Sequence, residues 1–255
     1  MRFVRYSEKD GEIHQGWILD DQVGAIDGDL FRGYRRLTAR LPLEQVRLHP
    51  PVQPGKIICV ARNYREHADE QGVEAPAAPL IFMKPPSSII GDKQTILLPR
   101  QSSWVEHEAE LAVIIGKRCR SISMGKAADY IFGYTCANDV TARDLQREDG
   151  QWTRAKGFDT FCPIGPWIET EFDPADALLT CRVNDEMRQM ASTGEMIFSI
   201  GQLVAYITSI MTLEPGDMIL TGTPAGVAPL LAGDKVEIEI EGIGSIGNTV
   251  GVYQP

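Results

Sequence analysis

Beyond about residue 100 the chain runs in strand-like segments that never alternate regularly with helices, which excludes parallel-sheet folds built from βαβ units, the Rossmann and TIM-barrel types among them. The segments are VEHEAELAVIIG (105–116), YIFGYTCANDV (130–140), PIGPWIE (163–169), LLTCRVN (178–184) and EMRQM (186–190), the last two joined by an Asn184–Asp185 turn of hairpin type. One amphipathic helix, SIGQLVAYITSIM (199–211), is followed by two turn-plus-strand units, EPGDMILTGT (214–223) and LAGDKVEIEIEG (231–242). The first 50 residues read as short strands (MRFVRY, HQGWILD, QVGAID), separated by EKDGE and DDQ, then a polar helix over RGYRRLTARL (32–41). HPPVQPG (49–55) is the clearest break in composition. The pattern predicts an α+β, β-rich fold with a small N-terminal β-rich domain (1–52) and a larger domain (53–255). In the latter, KIICVA and LIFMK are strands, NYREHADEQG is a short helix stopped by Gly72, and 85–104 is a long irregular stretch.

With 35 Asp+Glu against 25 Lys+Arg, the net charge of −10 argues against nucleic acid as a ligand. No apolar run is long enough to span a membrane and the start lacks the apolar core of a signal peptide, so a cytoplasmic protein is expected. Five scattered cysteines form no CxxC pair and the four histidines have no zinc spacing, so any metal has to be held mainly by oxygen.

Alternation on a strand puts Glu106, Glu108 and Glu110 on one face, and the run into LAVII carries them toward an interior. An isolated E-x-E is usually a solvated face. Here like charges approach a core and need neutralising, which a hard divalent cation with oxygen ligands would do. Asp139 is an available third carboxylate. TARDLQRE should begin a helix capped by Thr141, on which Arg143 and Gln146 share a side and form a carboxylate-binding surface. His67 and Glu70, at i and i+3, form the one plausible acid–base pair. Lys156 is a lone cation among mostly apolar neighbours. TGTPAGV (221–227) is a glycine-containing turn that could present backbone N–H groups and Thr223 to an anion, and it is not a Walker A motif. Taken singly, each of these features is more often ordinary surface, capping or loop chemistry.

The ordered set VARNYREHADE (60–70), PLIFMKP (79–85), HEAELAVIIGKRCR (107–120), GYTCANDVTARDLQ (133–146), AKGFDTFCPIGPW (155–167), VNDEMRQMASTGEMIFSI (183–200), LEPGDMILTGTPAGV (213–227) and GDKVEIEIEGIGSIGNTV (233–250) resembles the fumarylacetoacetate hydrolase superfamily. The resemblance spans nearly everything from Lys56 to the C-terminus. It implies a mixed β-sandwich roll, a homodimer, and Mg²⁺ or Mn²⁺ held by Glu108, Glu110 and Asp139. It also implies substrate contacts from Arg143, Gln146, Lys156 and Thr223, with His67 and Glu70 as a dyad on a lid segment. The implied chemistry is that of a metal-stabilised enolate of a 2-oxo acid: isomerisation, tautomerisation or decarboxylation of 2-oxo-dioates such as oxaloacetate or 2-hydroxyhepta-2,4-diene-1,7-dioate, as in aromatic catabolism. Acylpyruvate- or fumarylpyruvate-type C–C hydrolysis is the alternative. Sugar-acid dehydration and diketo-sugar-acid hydrolysis belong to the same superfamily, and a binding module on the same fold is the non-enzymatic reading.

Overall fold

The strand Ala109–Ile115 is buried along its whole length, because both of its faces are covered by other parts of the chain. In this computed structural model, which describes residues 1–8 and 11–254, Leu111, Val113 and Ile115 face one apolar core while Ala112 and Ile114 face a second. That is why the segment is a continuous apolar run and not an alternating one. It pairs antiparallel with Ile131–Asn138 on one side and Met218–Leu220 on the other. Met218–Leu220 runs parallel to Ile57–Ala61, which in turn pairs with Leu80–Lys84. Cys162–Glu169 extends the sheet beyond Ile131–Asn138.

A second sheet, in spatial order Thr95–Leu98, Gly244–Val252, Lys235–Ile240, Leu178–Val183 and Glu186–Ser192, lies across the first core. It contributes Leu179, Cys181, Ile238, Ile240 and Ile246 to that core, the inward members of an alternating pattern. Asn184 and Asp185 sit at φ 52° and 66°, the left-handed pair a two-residue hairpin needs, so the hairpin signal is realised.

Among the described residues there are four α-helices: α1 (Arg65–Glu70), α2 (Arg143–Asp149), α3 (Thr153–Lys156) and α4 (Ile200–Ile210). α4 is the expected amphipathic helix, started by a capping box between Ser199 and Gln202 and burying Leu203, Val204 and Ile207. The mostly-β, two-sheet architecture agrees with the expected fold class. None of the described helices is long and apolar enough to cross a membrane.

Strands Arg2–Glu8, His14–Leu19 and Gln22–Asp29 form as expected; Lys9 and Asp10 of the first turn lie outside the described residues. Arg2 and Phe3 pair with Glu169 and Ile168, so the N-terminal segment continues the large sheet while keeping a small core of Val4, Tyr6, Ile18 and Val23. The helix expected over RGYRRLTARL is not there. Gly33–Arg36 is instead a strand antiparallel to Gln22–Asp29, with Arg35 paired to Asp27 at 2.9 Å and Tyr34 packed edge-on to Phe3. Cross-strand pairing with residues already folded outweighs the weak local helix preference of this polar segment.

Three further expectations are corrected. The stretch 85–104 contains two short strands, Ile89–Ile90 and Thr95–Leu98, which add to Cys162–Glu169 and Gly244–Val252 respectively. The strand expected from Val105 to Gly116 is broken at His107–Glu108: Val105–Glu106 pairs with Thr141–Ala142, outside the large sheet. The break occurs because Glu108 N–H donates to the Asn138 side chain and the His107 ring turns inward to Gln189. Thr141 does not cap α2. Ala142 holds the cap position, Thr141 Oγ1 donates to the Asp139 carbonyl, and Asp144 accepts from Ser102 and Ser103, tying down the preceding loop.

Candidate active site

Sheet topology gathers the site. The start of Ala109–Ile115 lies beside the end of Ile131–Asn138, and both adjoin the segments leaving Leu220 and Ala61. Glu108 and Glu110 therefore meet Asp139, with Thr223 and the Arg62–Asn63 reversal alongside. One ligand oxygen from each of Glu108, Glu110 and Asp139 falls within 4.8 Å of the others, and all three side chains are buried.

Lys156 is not the solvated cation a lone lysine usually is. Its Nζ donates to Glu108 Oε2 and Asp139 Oδ2, both at 2.7 Å, from the end of α3. Arg143 at the start of α2 donates to Glu106 (2.6 Å) and Glu108 (2.5 Å), and also reaches Gln146 Oε1 one turn on. The same-side geometry expected of Arg143 and Gln146 is present. Lys84, the last residue of an apolar strand, is fully buried and donates to Asp139 Oδ1 at 2.6 Å and to the Val140 carbonyl. The sequence reading missed it; its one signal was a lysine closing the run LIFMK.

Four buried carboxylates (Glu106, Glu108, Glu110 and Asp139) thus face three buried cations (Lys84, Arg143 and Lys156). Glu110 is the carboxylate left over: among the described residues it has no ion pair, and it accepts from the Gly222 N–H at 2.6 Å. Burial, together with the nearby Asp139 and Glu108 charges, pushes its pKa well above the ordinary carboxylate value. Burial also acts to raise the pKa of Glu108, but Lys156 and Arg143 outweigh it and hold that carboxyl below the usual range. Lys156, although buried, is kept cationic by Asp139 and Glu108, which raise its pKa.

These groups fit a divalent cation. Three oxygen donors converge, one of them without a counter-charge, on a space of about 20 Å³, which is room for a single ion or water. Cysteine is no competitor as nucleophile, since burial lifts the Cys162 and Cys181 thiols to about 12.

α1 places the dyad over this point. His67 is buried and its Nδ1 lies 3.2 Å from Glu70 Oε2, while the Gln71 amide nitrogen contacts Nε2 at 2.9 Å. An amide nitrogen only donates, so Nε2 carries the lone pair and Nδ1 the proton given to Glu70. Burial lowers the His67 pKa even though Glu108 and Glu70 pull the other way, so the ring is neutral at pH 7. Glu70 Oε1 also accepts from Gly226 N–H at 3.0 Å, tying α1 to the TGTPAGV turn. That turn needs Gly222: at φ 99° a Cβ would stand 2.7 Å from Asn63 Cβ.

Thr223 is oriented by Gln189, another residue the sequence reading did not assign. The amide nitrogen of Gln189 donates to Thr223 Oγ1 (2.7 Å) and to the Pro224 carbonyl (2.8 Å). Its oxygen accepts from Ala109 N–H at 3.0 Å and faces His107 Nδ1 at 2.9 Å. A carbonyl only accepts and a backbone N–H only donates, so this orientation is forced. Thr223, already accepting from Gln189, keeps its own hydroxyl proton to donate elsewhere.

Eight of the nine expected site residues line this enclosed space, and Glu70 lines the adjoining cavity of about 440 Å³. The two cavities share Arg62, Gln71, Arg143, Gln146 and Trp152, so the deep site opens through them.

The chain has relatives in sequence and in fold. The model described as fumarylacetoacetate (FAA) hydrolase C-terminal matches residues 56–251, and one described as Rv2993c-like, N-terminal, matches residues 1–51. The crystal structure of 2-hydroxyhepta-2,4-diene-1,7-dioate isomerase from Mycobacterium marinum superposes with a TM-score of 0.90 at 45% identity, covering 100% of both chains. Maleylpyruvate hydrolase from Sphingobium sp. SYK-6, solved with manganese(II) ion and pyruvate, gives 0.81 at 33% identity, again covering 100% of each chain. Mitochondrial oxaloacetate tautomerase Fahd2a of Rattus norvegicus is 44% identical over 231 residues, 85% of this chain and 74% of that protein. Matched from Lys56 to Gly251, the chain belongs to the fumarylacetoacetate hydrolase family.

Proposed function

We propose that the protein is a Mg²⁺- or Mn²⁺-dependent enzyme acting on enolisable 2-oxo (di)carboxylic acids, isomerising, tautomerising or decarboxylating 2-oxo-dioates such as oxaloacetate or 2-hydroxyhepta-2,4-diene-1,7-dioate. The observation that carries the reading is the convergence of Glu108, Glu110 and Asp139 beneath a neutral, carboxylate-oriented His67. The isomerase and tautomerase relatives support it at the level of reaction class. Glu108, Glu110 and Asp139 would hold the cation, which when bound supplies Lewis acidity toward the oxygen of a developing enolate.

The chain's own residues do the rest. Lys156 pairs with Glu108 and Asp139 and adds fixed positive charge where negative charge develops. Arg143, Gln146 and Thr223 orient the 2-oxo-carboxylate end, Thr223 as a donor. His67 Nε2 takes the proton lost from the carbon next to the ketone once the Gln71 amide yields its place, and Glu70 stabilises the imidazolium through Nδ1–H. Return of that proton to another atom completes a tautomerisation.

C–C hydrolysis is the second reading, and the same neutral Nε2 favours it, since it can take a proton from water as readily as from carbon. The maleylpyruvate hydrolase relative has this activity in its name.

Oxaloacetate, acetylpyruvate, fumarylpyruvate and a 2-hydroxydienedioate, assayed with and without Mg²⁺ or Mn²⁺, separate these chemistries. Metal-free protein should be inactive and regain turnover on reloading. Glu108→Ala should abolish metal binding, whereas His67→Ala should keep it and lose about 10²- to 10⁴-fold in rate. Full activity in excess chelator would remove the reading.

A further inference from the structure

Arg62 is the one strained residue of the site. It follows the strand Ile57–Ala61 with φ 56°, a left-handed conformation that is costly for any residue carrying a Cβ. The neighbours enforce it. Asn63 is fully buried and pinned by its side chain to the Phe198 and Thr221 carbonyls and to Phe198 N–H, while Ile197 N–H donates to the Asn63 carbonyl. Tyr64, also buried, bridges to Met196. With the chain held on both sides of it, Arg62 is turned to line both the metal-side space and the 440 Å³ outer cavity. Non-glycine residues held in rare backbone conformations cluster at functional sites.

What that side chain lacks is a partner. Arg62 Nε is buried and makes no hydrogen bond, and among the described residues its guanidinium forms no ion pair. Arg147, across the outer cavity, likewise has no ion pair and lies over the Trp104 ring at 5.0 Å. The two carboxylates lining that cavity are already engaged: Glu70 with His67 and Gly226, Glu106 with Arg143 and the Trp104 indole. The outer cavity therefore presents two unmatched arginines and no free carboxylate. A buried guanidinium N–H without an acceptor is costly, and a planar carboxylate satisfies it best.

We propose that Arg62, seconded by Arg147, binds the distal carboxylate of the substrate and is the residue by which the site selects dicarboxylic over monocarboxylic 2-oxo acids. The inference rests on the 2-oxo acid reading and narrows it: the 2-oxo end goes to the acidic cluster, the second carboxylate to the outer cavity.

The test uses two acids of equal chain length, 2-oxoglutarate and 2-oxopentanoate, titrated calorimetrically into the Mn²⁺-loaded protein. The wild type should bind the dicarboxylic acid about 10- to 100-fold more tightly, the range a charge-assisted hydrogen bond supports. Arg62→Gln should bring the two affinities within about twofold of each other by weakening 2-oxoglutarate alone, leaving 2-oxopentanoate and Mn²⁺ affinity unchanged. Arg62→Asn, whose short polar side chain tolerates the left-handed conformation, should collapse the ratio equally while holding or raising the melting temperature. That combination separates a binding role from a structural one. Equal affinity of the wild type for both acids, or an equal loss of both in the variants, overturns the proposal and leaves the 2-oxo acid reading standing. Binding of neither acid to the loaded wild type overturns that reading, and the proposal with it.

Discussion

Single residues at this site are worth what their partners make them worth. Lys84 neutralises Asp139 from a fully buried position, so Lys84→Met should strand charge in the interior and cost about 3 kcal/mol or more. Urea unfolding of the metal-free protein checks this; an unchanged midpoint would show that Lys156 alone satisfies Asp139. His67 supplies the pH dependence. Its folded pKa lies below the ordinary 6.5, so the unfolded chain takes up the proton first on acidification. Its contribution to stability is therefore present above pH 6.5 and lost as pH falls through 6.5 toward the folded value. The acid limb of kcat/KM should likewise lie below 6.5. Glu70 raises the His67 pKa, so Glu70→Gln should move that limb to still lower pH; a shift upward would contradict the dyad.

At the scale of elements, the site depends on short segments locked by nonlocal bonds. α1 spans Arg65–Glu70, too short to be stable alone, and it holds its place through Glu70 to Gly226 and the Asn63 clamp before it. The hairpin that delivers Gln189 to Thr223 turns on Asn184 and Asp185, both left-handed. Asn184 is well chosen, since its side chain also bonds Asp234 and Lys235. Asp185 is the weaker choice at φ 66°, and Asp185→Gly should stabilise the protein by about 1 kcal/mol, read as a rise in melting temperature. A fall would mean that the Asp185 side chain contributes more than its backbone costs. The helix wrongly expected over residues 32–41 belongs to this scale too. A polar segment with little periodicity takes the structure its neighbours offer, and here the neighbour was an open strand edge.

For the molecule as a whole, the outward face of the second sheet leaves Leu178, Met187 and Met190 exposed at 43%, 40% and 64%, grouped in one surface groove. The family resemblance implies a homodimer, and we propose that this exposed apolar face is the one the two copies bury. Sedimentation should then give twice 28.2 kDa, and Met190→Glu should shift the protein to monomer without altering metal affinity. A wild type that sediments as monomer would set the pairing aside.

Sequence alone determined the strand-rich class, the hairpin at residues 184–185 and the amphipathic α4, because alternation, turn chemistry and helical period are local properties readable over a few residues; Glu108, Glu110 and Asp139 were grouped only by the family resemblance, which an ordered set of motifs along the chain carries. The His67–Glu70 and Arg143–Gln146 pairs were legible for the same reason: each lies within one helical turn. Only the tertiary structure decided that Lys84 neutralises a carboxylate 55 positions away and that Gln189 orients Thr223. Only it showed that Lys156 is buried between two acids and that Arg62 is strained and unpartnered. Burial, charge pairing and enforced backbone conformation are set by what the rest of the chain brings near a residue, and no window of neighbouring residues contains that information.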